Sequence, residues 1–232
     1  MLENWLSVLE NYRLIGVIRC NSVEMGLKMA SALAQGGVKL IEITWNSSQP
    51  AKLITLLREK LPHCYIGTGT IINHQDLVTA IDSGSQFCFS PHFDSHLVEL
   101  AHHRNIPFIP GALSPLEIIN AFNGGAKTVK VFPIQAVGGA KYIKSVRSPL
   151  NHIPLIPTGG VTIQSAQDYI KAGAIAVGLS TDLFPKNLLI EEKWDKISAR
   201  VNQIQKLLII KNEELGTRNE ELGIRNEELE NI

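Results

Sequence analysis

From Arg13 onward the sequence alternates short β-branched apolar runs with longer segments at helical spacing, and that rhythm constrains the fold more than any single residue does. Strand-like runs fall at Leu14–Cys20, Lys39–Asn46, Tyr65–Ile71, Gln86–Pro91, Pro107–Gly111, Thr128–Pro133, Pro154–Gly159 and Ala174–Ser180, which makes eight. Amphipathic stretches such as EMGLKMASALAQGG and QPAKLITLLREKLP lie between them. Several close in the glycine expected after a helix C-terminus, and a last helix is predicted over Trp194 to Ile210. Eight strand-then-helix units in about 200 residues predict an α/β fold closed as a (β/α)8 TIM barrel spanning residues 1–210. The competing architecture is an open doubly wound sheet, which more often has about five or six strands and a glycine-rich first turn.

The C-terminal segment, residues 211–232, reads as a different object. NEELGTR, NEELGIR and NEELENI repeat every seven residues from Asn212, with Leu215, Leu222 and Leu229 in one register below Leu208. A coiled-coil seam needs two apolar positions per heptad, whereas the second position here is polar and Gly216 and Gly223 each weaken a helix by about 1 kcal/mol. This acidic, heptad-like tail is expected to be a frayed or disordered extension, with a packing or self-associating helix as the alternative.

Bulk properties exclude several classes of partner. Lys plus Arg equals Asp plus Glu at 22 each, so no net field favours nucleic acid or an anionic membrane. Hydrophobic residues make up 44% and charged residues 19%, as in an ordinary globular protein. No run of about 18 apolar residues occurs, and the start, MLENWLSVLENYR, carries acids where a secretory leader would be basic and then apolar. Cys20, Cys64 and Cys88 sit singly in apolar runs, which predicts neither disulfides nor a zinc knuckle. A cytoplasmic protein is expected. His92, His96, His102 and His103 cluster in the fourth unit without a carboxylate-rich strand end, so they are predicted to lie on the surface and no metal site is expected.

Alternate side chains of a barrel strand face the packed interior, so a polar residue between aliphatics is an inward polar group. In TVKVF, Val129 and Val131 point one way and Lys130 the other; in LIEIT, Ile41 and Ile43 flank Glu42; in GVIRC, Arg19 shares a face with Val17. A lysine in the barrel mouth is partly desolvated, which lowers its pKa and exposes the neutral amine that attacks a ketone. Iminium chemistry also needs a proton shuttle, and Glu42 is the other inward carboxylate found on a strand. The alternative for both is an ion pair that only fills the barrel. Thr68 and Thr70 in GTGTI are predicted to share a face and to offer hydroxyls to a keto-acid carboxylate, although threonine is also common in strands for packing. IPTGGV and GLSTDL bring small residues to the loops after the seventh and eighth strands, where such barrels often hold phosphate on backbone N–H groups. Gly159, Gly160 and Ser180 are the candidates, with tight turns as the structural alternative.

In this order, VIR at Val17–Arg19, IEIT at Ile41–Thr44, GTGTI, SP at Ser90–Pro91, IPG at Ile109–Gly111, KVFP at Lys130–Pro133 and PTGG at Pro157–Gly160 resemble a known family. It is the 2-keto-3-deoxy-6-phosphogluconate and 4-hydroxy-2-oxoglutarate aldolases, class I barrel enzymes, and the resemblance spans nearly the whole barrel. It implies that Lys130 is the Schiff-base lysine and Glu42 the acid/base, with Arg19 and Thr70 near the pyruvyl carboxylate. It further implies that Phe132 and Pro91 shape the pocket and that Thr158 with Gly159, Gly160 and Ser180 receives the phosphate end. A 2-keto acid substrate of the Entner–Doudoroff type, no metal or organic cofactor, and a homotrimer are implied as well. One position departs: where the phosphogluconate type has an arginine helping to hold the carboxylate, this chain has Asn46 in ITWNSSQ, closer to the phosphogalactonate aldolases. YIK at Tyr142–Lys144 and STDL also lean that way, while PTGG and IPG lean toward phosphogluconate, which ranks first. The tail has no counterpart in the family.

Two other functions compete. In a phosphate-binding barrel isomerase Glu42 would be the base and Lys130 an electrostatic stabiliser. In a non-catalytic binding barrel the function would lie in the repeated tail.

Overall fold

A computed structural model describes residues 5–221, with side chains through Leu208. Among the described residues there are nine parallel strands: β1 Leu14–Ile18, β2 Leu40–Thr44, β3 Tyr65–Gly69, β4 Cys88–Phe89, β5 Phe108–Ile109, β6 Gly111–Ala112, β7 Val129–Val131, β8 Leu155–Pro157 and β9 Val177–Leu179. The helices run α1 Trp5–Tyr12, α2 Val23–Gln35, α3 Pro50–Lys60, α4 His74–Asp82 and α5 Ser95–His103. They continue with α6 Pro115–Asn123, α7 Ala140–Arg147, α8 Ile163–Lys171, α9 Lys186–Ile190 and α10 Trp194–Glu221.

Each expected run contains a strand, shorter than its apolar stretch. β5 and β6 share one run, divided at Pro110, which has no N–H for the ladder. Its carbonyl still accepts from Lys130 N at 2.9 Å. The strands form a curled parallel sheet in two parts, β5-β4-β3-β2-β1-β9 and β6-β7-β8. At the far end Thr158 bridges Gly178 in parallel, and Ile175 N donates to Leu155 O at 3.0 Å.

Alternation along the strands sorts the core into an inner and an outer layer. Ile41, Ile43, Val129 and Val131 pack outward with helix residues such as Leu33, Leu53 and Ile143. Ile15, Leu40, Phe87, Phe89, Ile109 and Ile156 fill the interior together with Trp5 and Leu9 of α1. Helix α1 covers the N-terminal end of the sheet, where Trp5 Nε1 donates to Thr128 Oγ1 at 3.3 Å and its ring meets Phe87 at 5.2 Å. Such an anchor contributes about 3–5 kcal/mol by comparison with truncation to alanine. The opposite end stays open for chemistry.

Helix α10 packs through Ile197, Val201, Ile204 and Leu208. It continues to Glu221, so the backbone of the first NEELGTR repeat is helical. The repeats from Leu222 onward lie outside the described residues. Among the described residues no helix is long and apolar enough to cross a membrane.

Candidate active site

A cavity of 550 Å³ opens at the C-terminal ends of the strands, and Lys130 and Glu42 both line it. Lys130 sits between the outward Val129 and Val131 and is 8% exposed, with Nζ 4.8 Å from the Phe132 ring centroid and 5.8 Å from that of Phe89. Burial pushes the Lys130 ammonium below the ordinary lysine range and the positive charge of Arg19 adds to that, while Glu42 opposes both. Glu42, 2% exposed, is displaced the other way: burial raises its carboxyl, against the lowering influence of Lys130 and Arg19. None of the ion pairs among the described residues includes either group, so a closed salt bridge that merely fills the barrel is not formed.

Glu42 has its position because β3 offers no side chain there. A Cβ built on Gly69 would stand 1.7 Å from Glu42 Oε1, so the carboxylate lies across a glycine that no other residue could replace without moving it. The strand ends at Gly69, and Thr70 turns into the left-handed region at φ 64°, a conformation costing about 1–3 kcal/mol for a residue of this kind. Hydrogen bonds from Trp45 N to Gly69 O (2.7 Å) and from Ile71 N to Phe89 O (3.2 Å) hold the turn. It brings Thr70 into the cavity.

Thr68 is not with it. Its hydroxyl donates to Ile43 O at 2.8 Å and the residue is fully buried, because an odd step along the strand turns it away from Gly67 and Gly69. The expectation of two threonines on one face therefore fails at the kink.

Arg19 follows β1 and is exposed at the rim. Its surroundings are fixed by Ser47, whose Oγ accepts from Cys20 N at 3.2 Å and meets Thr44 Oγ1 at 3.1 Å. Asn46 does not line the cavity; it lies in a neighbouring cleft that shares only Arg19 with it, among Asn21, Met25 and Met29. The other predicted residues converge: Pro91 after β4, Phe132 after β7, Thr158, Gly159 and Gly160 after β8, and Ser180 after β9.

Gly159 and Gly160 adopt φ 86° and 87°, and side chains there would run into Phe132 and Gln135. Thr158 Oγ1 is buried without a partner in the structure, a polar atom that a ligand in this cavity can satisfy. The histidines His92, His96, His102 and His103 are exposed. Among the described residues no three of His, Cys, Asp or Glu assemble into a metal-ligand group.

Residues 6–200 match the family described as Aldolase: KDPG and KHG aldolase. The chain belongs to this family. A KDPG aldolase relative, the 2-dehydro-3-deoxy-phosphogluconate aldolase of Haemophilus influenzae, is 31% identical over 196 residues, covering 84% of this chain and 92% of its own. The KHG/KDPG aldolase of Escherichia coli K12 is 29% identical over 201 residues, covering 85% and 94%. A crystal structure of KDPG aldolase from Legionella pneumophila, with pyruvate captured at low pH as a covalent carbinolamine, superposes with a TM-score of 0.79 at 26% identity. The match covers 86% of this chain and 97% of that one.

For a KDPG and KHG aldolase family member, four lining residues with polar side chains escaped the sequence reading: Thr44, Thr162, Thr181 and Asp182. Thr44 shares the inward face of Glu42, two positions on, so alternation was a usable signal for it. The others follow strands, where periodicity gives none. Tyr142 of the YIK segment lies on α7 and donates to the Leu113 carbonyl, away from the cavity lining.

Proposed function

We propose that this chain is a carbon–carbon lyase that cleaves 2-dehydro-3-deoxy-6-phosphogluconate to pyruvate and glyceraldehyde 3-phosphate through a Schiff base on Lys130. The same chemistry would take 4-hydroxy-2-oxoglutarate to pyruvate and glyoxylate. The observation that carries the reading is the desolvated Lys130 amine sharing with Glu42 a cavity at the C-terminal ends of the strands.

The neutral amine adds to the C2 carbonyl of the keto acid, and loss of water from the carbinolamine leaves an iminium. A base then takes the proton of the C4 hydroxyl, the C3–C4 bond breaks, and its electron pair passes into the iminium to give an aldehyde and an enamine. Protonation at C3 and hydrolysis release pyruvate and return the amine. Glu42 serves as the proton carrier in these steps, since its raised pKa lets it hold a proton at higher pH than an ordinary carboxyl. Arg19 and Thr70 receive the substrate carboxylate, Pro91 and Phe132 shape the pocket, and Thr158, Gly159, Gly160 and Ser180 take the phosphate end. Neither metal nor organic cofactor enters the scheme, because the iminium is itself the electron sink.

The proposal extends to architecture and setting. The two parts of the sheet are read as one closed (β/α)8 barrel, supported by the shared β5–β6 run and the Thr158–Gly178 bridge. Residues 1–210 form the catalytic domain and 211–232 an appendage, in a cytoplasmic homotrimer. Asn46 stands outside the cavity, so nothing in the site advances the phosphogalactonate epimer over the phosphogluconate one. The test is a panel of both 6-phosphate epimers and 4-hydroxy-2-oxoglutarate with pyruvate release as readout. The gluconate epimer is expected to give the highest kcat/KM, and absence of pyruvate from all three would refute the reading.

A further inference from the structure

Two separate loops line the cavity, residues 158–162 after β8 and residues 180–182 after β9. Beyond the Thr158–Gly178 bridge, a single side-chain hydrogen bond among the described residues ties the second loop to the start of α8, directly where the first loop ends: Asp182 Oδ2 accepts from Ile163 N at 2.8 Å. Arg200 of α10 secures the carboxylate from behind, with Nη2 to Oδ1 at 3.3 Å and Nε to the Asp182 carbonyl at 3.1 Å.

The N-terminus of α8 is thereby provided with acceptors from the protein itself. Ile163 N–H goes to Asp182, Ser165 N–H to Thr162 Oγ1 at 3.2 Å, and Thr162 N–H to Ser165 Oγ at 3.0 Å. A carboxylate at that position already uses the positive end of the helix dipole. An anionic substrate tail must then be met by the loops ahead of the helix, and its fit depends on how far apart they stand.

We propose that Asp182 is a positioning residue that sets the spacing of these two loops for the phosphate of the substrate, with Arg200 holding it in place. This rests on the assignment of Gly159, Gly160 and Ser180 to the phosphate end. Asp182 lines the cavity, but its carboxylate is engaged by Ile163 N–H and Arg200, so its action is on how the loops hold the substrate rather than on chemistry at Lys130.

Steady-state kinetics of Asp182→Ala and Asp182→Asn, with 2-dehydro-3-deoxy-6-phosphogluconate and with the phosphate-free 4-hydroxy-2-oxoglutarate, separate the possibilities. Asp182→Ala should raise KM for the phosphorylated substrate by about tenfold or more, as loss of a charge-assisted hydrogen bond would, with kcat within about twofold. KM for the phosphate-free substrate should not follow it. Asp182→Asn keeps a carbonyl oxygen facing Ile163 N–H and should restore most of the lost affinity. An unchanged KM in the alanine variant, an equal rise for both substrates, or an asparagine variant as impaired as alanine would each overturn the proposal. An unsubstituted protein that cleaves no phosphorylated substrate would overturn the functional reading along with it, a result distinct from an active parent whose variants behave alike.

Discussion

Lys130 and Glu42 are buried in the same cavity, and burial moves them in opposite directions: the lysine toward its neutral amine, the glutamate toward its neutral acid. Nucleophilic attack requires the free amine, which is populated above the pKa of Lys130. Since that pKa is lowered, the rate of imine formation should climb with pH through a midpoint below that of a solvent-exposed lysine. Glu42 raises the lysine pKa, so Glu42→Gln should carry the midpoint lower still; a midpoint that rises would show that the Glu42 charge does not hold the lysine pKa up. Gly69→Ala tests the other half of the arrangement. The new Cβ must displace the Glu42 carboxylate, with an expected fall in kcat of about 10²-fold from misplacement and a loss of about 1–3 kcal/mol in stability from overpacking. Normal turnover in that variant would remove Glu42 from the reaction. Lys130 and Glu42 were legible from sequence because each interrupts a run of aliphatics at a period of two. Gly69 was not, because its role depends on the pairing of β3 with β2, and Thr68 was misread because the left-handed turn at Thr70 ends the alternation.

Strands and helices were readable to the extent that their hydrophobic pattern outlasted their ends. All eight expected runs hold strands, yet hydrogen bonding stops short of each apolar stretch, and Pro110 divides one run into β5 and β6. Helix α1 was not anticipated: eight residues with two buried anchors, Trp5 and Leu9, give too few repeats to establish a helical period. The backbone of α10 runs on through the first repeat of the tail to Glu221. Within the described side chains α10 packs through Leu208, and the repeats that follow lack the second apolar position per heptad that a seam requires. Deleting the chain from Lys211 should therefore change stability by less than about 1 kcal/mol, or about 2–4 °C in Tm for a chain of this length, and leave assembly size and turnover alone. Calorimetry and light scattering on the truncated protein would expose a packed or oligomerising tail as a large drop in either quantity.

At the scale of the whole molecule, the parallel sheet brings residues from seven strand ends to one cavity while α1 covers the other end. Fold class followed from counting strand-then-helix units, and family from the order of short motifs along the chain. Neither could locate Asn46 or Asp182, which depend on how loops leave the strands. The proposed chemistry depends on Lys130 acting as a nucleophile rather than as a fixed charge. The direct measurement is mass spectrometry of the protein incubated with pyruvate and borohydride, with peptide mapping of the adduct. One reduced pyruvyl group on the peptide containing Lys130, loss of activity in proportion, and no adduct in Lys130→Arg, whose guanidinium stays protonated, is the result expected. Labelling of another lysine, or substantial turnover by the arginine variant, would contradict it.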